Sequence, residues 1–175
     1  MKRMTGLGAA LAIAVAFAAL AFAEEKAKTA TKSAEAPAAH AMFTPSDIKW
    51  GEGPPSLPAG AKVAVLEGDP AKEGYFAMRL KAPAGYKIMP HWHPGIERLT
   101  VISGTFHIGL GDTFDESKGH AMPAGTYATM RPKTHHFAWS EGETELQITT
   151  LGPWKLIYVN PEDDPSRASK APAAR

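Results

Sequence analysis

The chain has 175 residues with 19 basic and 18 acidic side chains, a formal charge of +1, so no long-range field draws it to a phosphate backbone or an anionic membrane and no nucleic-acid partner is expected. Its 16 glycines and 15 prolines are too many breakers for a helical bundle but suit short strands joined by turns. The absence of cysteine excludes disulfides, thiolate nucleophiles and thiolate metal sites, so any metal must use His, carboxylates and water.

Residues 1–23 read as a secretory signal peptide. Lys2 and Arg3 precede an apolar run from Leu7 to Phe22, and Ala21-Phe22-Ala23 fits an A-x-A cleavage site. The run is short for a spanning helix, so no membrane anchor is expected after cleavage, and a periplasmic or secreted protein is the expectation. Residues 24–42 are rich in Ala, Lys, Glu, Thr and Pro with little to bury, and read as a flexible linker in which His40 is solvated. A domain is expected over residues 43–161, and a polar, proline-bearing tail over residues 162–175.

Within the domain, turn signals at regular spacing separate short apolar runs, the pattern of a sandwich or barrel. Strands are expected at Lys62–Leu66, Tyr75–Lys81, Tyr86–His93, Glu97–Ile102, Thr105–Leu110, Thr126–Met130, His136–Trp139, Glu145–Leu151 and Lys155–Val159. In the second of these, Phe76, Met78 and Leu80 share one face and Arg79 and Lys81 the other. No internal repeat appears. Unsealed strand edges make a homodimer an expectation.

His91-Trp92-His93 places two imidazoles on one face of a strand, because side chains two apart point the same way. Pro94-Gly95 turns the chain, and Glu97 at the head of the next strand can return a carboxylate to the same place. Such a trio offers three metal ligands, and it also fits a plain His–carboxylate ion pair. Of the other histidines, His107 follows Gly104, which leaves its face open, and His120 adjoins a polar loop and reads as solvated. Phe106, Phe137, Trp139 and Trp154 read as core, and Arg79 as a solvent-facing side chain rather than an anion clamp.

The segment Gly85, His91, His93, Glu97, Gly104 resembles, without a gap, the first sequence motif of the cupin superfamily. Gly125, Pro132 and His136 resemble the second motif in spacing, although Arg131 and Lys133 stand where that motif has Pro and Gly, and Ser140 where it often has Asn. The resemblance spans about residues 43–161 and is concentrated in 85–136. It implies an all-β fold, a single cupin-type jelly-roll β-barrel, with one divalent metal ion held by His91, His93, Glu97 and His136. His135 competes with His136, since neighbours in a strand cannot both face a cavity, and the register favours His136.

Three imidazoles and a carboxylate suit Fe, Mn, Ni, Co or Zn. Proteins similar to this one include dioxygenases, isomerases and non-catalytic binders. The resemblance therefore implies a metal-dependent enzyme, dioxygenase- or isomerase-like, on a small oxygen-bearing molecule. The alternative is a periplasmic ligand- or metal-binding or sensing module.

Overall fold

The computed structural model describes residues 40–170, with side chains to residue 167. The signal and almost all of the linker expected from the sequence lie outside the described residues. Backbone contacts divide the chain after Ala41, and every described strand belongs to the unit from Met42 onward.

Among the described residues, eleven strands form two antiparallel sheets. The first six are β1 (Gly51–Glu52), β2 (Lys62–Glu67), β3 (Gly74–Ala82), β4 (Lys87–Trp92), β5 (Glu97–Ser103) and β6 (Thr105–Leu110). The others are β7 (Gly119–Pro123), β8 (Tyr127–Met130), β9 (His136–Ser140), β10 (Thr144–Gly152) and β11 (Ile157–Tyr158). A six-stranded sheet runs β1-β2-β3-β10-β5-β8, and a five-stranded sheet runs β11-β4-β9-β6-β7. All nine expected strands are present, with ends moved by a few residues. Two were not expected: β1, too short to show a period, and β7, whose single buried apolar residue Met122 leaves no alternation to read.

The core lies between the sheets. Phe76, Leu80, Leu99 and Leu146 of the larger sheet pack with Ile88, Phe106 and Ala138 of the smaller. Phe76, Met78 and Leu80 are buried as the period-two pattern requires, while Arg79 lies on the other face of β3, where its guanidinium donates to Glu145 at 2.6 Å and Gln147 at 3.3 Å. The turn into β4 is pinned by buried Ser140, whose hydroxyl donates to the Pro83 carbonyl and accepts from the Tyr86 amide.

The pairing of β4 with β9 is irregular. Ile88 pairs with Ala138 and His91 with His136, so β4 spends three steps where β9 spends two. A bulge absorbs the extra residue next to Pro90, which has no N–H to give the ladder. Ile88 and His91 thereby both turn inward, although an unbroken strand would put them on opposite faces.

Past β11 the chain makes short 3-10 turns at Pro161–Asp163 and Pro165–Lys170. The stretch that reads as a tail thus brings Asp164 and Ser166 to the wall of the cavity between the sheets. Among the described residues no helix is long and apolar enough to cross a membrane.

Candidate metal centre

Direct pairing across β4 and β9 sets His91 beside His136, with ring centroids 4.2 Å apart. His93 follows the end of β4, at 5.1 Å from His91 and 5.3 Å from His136. One ring nitrogen from each lies within 4.8 Å of the others, so the three could hold a metal ion. Glu97 arrives from the opposite sheet, its Oε2 3.2 Å from His136 Nε2 and 3.7 Å from His93 Nε2. All four side chains are buried, at 2–6 % exposure.

Backbone carbonyls set the imidazoles. His91 Nδ1 lies 2.7 Å from the Met89 oxygen, His136 Nδ1 2.9 Å from Thr134, and His93 Nδ1 2.8 Å from Lys155. A carbonyl only accepts, so each Nδ1 carries the proton and each Nε2 of a neutral ring is left with its lone pair. For His91 and His136 the acceptor is two residues back along the chain, and at His91 that residue is in the bulge. For His93 it comes from the segment before β11, whose Trp154 stacks on the His93 ring at 4.1 Å and 16°. The turn ahead of β9 adds an amide, Lys133 N–H to the His93 carbonyl at 2.9 Å.

The donor set fits a cation. His93 Nε2 is buried with no hydrogen-bond partner and Glu97 Oε2 is met only by ion-pair contacts with the histidines, an arrangement that a positive ion among them would satisfy. Burial, then the neighbouring His136 and His93, holds His91 well below the usual imidazole range, and burial likewise lowers His93 against the pull of Glu97. Both are therefore neutral, the form that binds a metal. Burial also opposes charge on His136 and Glu97, but their mutual contact overrides it: His136 is raised and Glu97 lowered, so without metal this pair carries the site's positive and negative charge.

The remaining histidines lie elsewhere. His135 faces outward, its Nδ1 2.6 Å from Asp112 Oδ1, as alternation with His136 demands. His107 is on the outer face of the smaller sheet, stacked on Trp139 at 4.6 Å and 3.6 Å from Glu141, not in the cavity. His40 and His120 are exposed.

The quartet opens on a cavity of about 720 Å³ walled by both sheets. Two aromatic residues read as core belong to this wall: Phe106, and Trp154 beside the His93 ring. Phe137 and Trp139 point the other way and pack under Phe114. Sequence reasoning missed Trp154 and the carbonyls of Met89, Thr134 and Lys155. Pro90 was the available signal for the bulge, whereas a carbonyl acceptor has no residue signature at all.

A family model described as a ChrR cupin-like domain matches residues 38–155. No curated protein matches the chain. Among solved structures, a putative acetylacetone dioxygenase from Methylibium petroleiphilum PM1 is 20% identical over 72% of this chain and 85% of its own, with a TM-score of 0.54. The polyketide cyclase RemF from Streptomyces resistomycificus is 13% identical over 76% and 94%, with a TM-score of 0.55. An RmlC-like cupin from Shewanella frigidimarina NCIMB 400 is 16% identical over 64% and 90%, with a TM-score of 0.50. At these identities the likeness is one of fold.

Proposed function

The chain belongs to the ChrR cupin-like family, and on that premise we propose that it holds one divalent metal ion with His91, His93, Glu97 and His136 and acts on a small oxygen-bearing molecule as a dioxygenase- or isomerase-like enzyme. The observation that carries this reading is the grouping of three carbonyl-fixed imidazoles within 4.8 Å, at the wall of a cavity large enough for a small molecule. Fe, Mn, Ni, Co and Zn all suit the donors, and such an ion when bound supplies Lewis-acid or redox chemistry. The chain's own part is to present neutral imidazoles at a set angle, to bring Glu97 from the facing sheet, and to keep water from the His93 ring with Trp154. The strand order of the two sheets supports a jelly-roll closure around the site.

The test is elemental analysis of the purified protein, followed by oxygen uptake after loading with Fe(II) or Mn(II) against catechols, flavonols and diketones. Oxygen consumption, or rearrangement of the same compounds followed by NMR, with one equivalent of metal upholds the enzyme, and absence of both across all metals favours a module that binds without turnover. That second reading has its own support. The other ionisable residues lining the cavity, Glu52, Lys155 and Asp164, are exposed or half-buried, so no buried general base stands beside the quartet among the described residues. Export to the periplasm or beyond, and pairing of two copies through an edge such as β8 with its exposed Tyr127, complete the proposal.

A further inference from the structure

Strand register sorts the cavity wall into levels. His91 and His136 form one level on the smaller sheet, met by Glu97 from the larger. Two residues inward along β9, Ala138 lies between Ile88 and Ile108, and two inward along β5, Leu99 pairs with Ile148. The next step brings Phe106 on one side and Leu146 on the other. All seven of these apolar residues line the cavity. Each level advances about 6–7 Å along the strands, so about 13 Å of wall inward of the quartet carries no polar side chain among these residues.

From this layering we infer that the molecule bound here has an oxygen-chelating head and an apolar body, the head at the quartet and the body between the sheets, and that polyhydroxylated compounds such as sugars and sugar acids are rejected. The inference rests on the metal reading proposed for this site, because the head needs the ion. An apolar body leaves nothing unsatisfied on these walls, and each methylene removed from water strengthens binding by about fourfold. A hydroxyl placed on the same wall meets no partner and weakens binding by about tenfold. Ala138 is the smallest side chain of the first apolar level and is buried, so it sets how much body fits beside the head.

The experiment uses the full chain loaded with Co(II), with cobalt per chain measured first and titrations followed by visible absorption and calorimetry. The probes are hydroxamic acids sharing one bidentate head, in straight-chain series from acetohydroxamic to octanohydroxamic acid, with gluconohydroxamic acid as the polyhydroxylated member. We expect affinity to rise about fourfold per methylene until the cavity fills, gluconohydroxamic acid to bind more weakly than the hexanoic member by more than about tenfold, and Ala138→Leu to flatten the slope. Equal affinity along the series, or a gluconohydroxamic acid as tight as the hexanoic one, overturns the inference with the metal reading intact. Failure to take up cobalt overturns both. The wild-type series decides the matter even if the Ala138 variant does not fold.

Discussion

The five-stranded sheet carries histidines on both faces, and the two faces use them differently. Inside, His91 and His136 each have Nδ1 tied to a carbonyl and the other nitrogen in a common group with His93. Outside, His107 has a surface carboxylate, Glu141, and an aromatic ring to stack on, and nearby His135 has Asp112. Both outer sites contain a histidine and an acid, the same ingredients as the inner one. What separates them is that the inner rings are aimed by the main chain and converge, so geometry and burial, not residue type, mark the inner group as the one that could hold a metal.

Four changes would break or sharpen that contrast. The largest effect is expected from His136→Ala, which should weaken metal binding by more than about 100-fold, while His107→Gln and His135→Asn keep one equivalent per chain by elemental analysis. Loss of metal from an outer-face variant would erase the distinction. Chelation of the loaded protein should also lower its melting temperature, because a ligand at a thousand times its Kd adds about 4 kcal/mol to the folded state.

Next comes the seam joining the two faces. Gly109 on β6 lies under the Phe137 ring, and a Cβ there would come within 2.2 Å of it. Gly109→Ala should cost about 2 kcal/mol in denaturant unfolding by overpacking, and should weaken metal binding too, since Phe137 adjoins His136. An unchanged stability would mean that the outer rings do not hold β9 in place.

The third concerns pH in the metal-free protein. His91 is held well below the ordinary imidazole value, so the folded chain binds fewer protons than the unfolded one and stability falls as pH drops below about 6.5. His136 acts with the opposite sign: Glu97 keeps it raised, and its contribution is present below about 6.5 and is lost as pH climbs through the folded value. Thermal melts between pH 5 and 8 should therefore show a shallower acid decline in His91→Gln and a steeper one in His136→Gln. Identical profiles for the two inner variants would refute the assignment of opposite signs.

The smallest effect is a gain. Lys133 adopts a φ of 62°, a left-handed conformation at the position where the second cupin motif has glycine. Lys133→Gly should raise stability by about 0.5–1 kcal/mol without touching metal stoichiometry, since the amide to His93 is kept.

Much of this was legible in the sequence because it depends on local pattern. Alternation in β3 identified its buried face, His-x-His placed two imidazoles together, and adjacency excluded His135 once His136 faced inward. The parts that escaped depend on the third dimension. Pro90 shifts β4 by one residue, and only the pairing with β9 reveals where the shift is absorbed. His107 could not be assigned a face because Gly104 interrupts the count. Trp154 is 61 positions from its stacking partner His93, a distance no local period spans.

That separation has a kinetic consequence. His93 takes its Nδ1 acceptor from Lys155, its carbonyl's donor from Lys133, and its neighbours from β4 and β9, so the site closes only when stretches from the middle and the end of the domain have met. Contacts this distant along a chain form late and slowly. An ion held as proposed would be captured by a finished fold rather than template it, so refolding from denaturant should proceed at the same rate whether or not metal is in the buffer, with only the unfolding rate slowed by it.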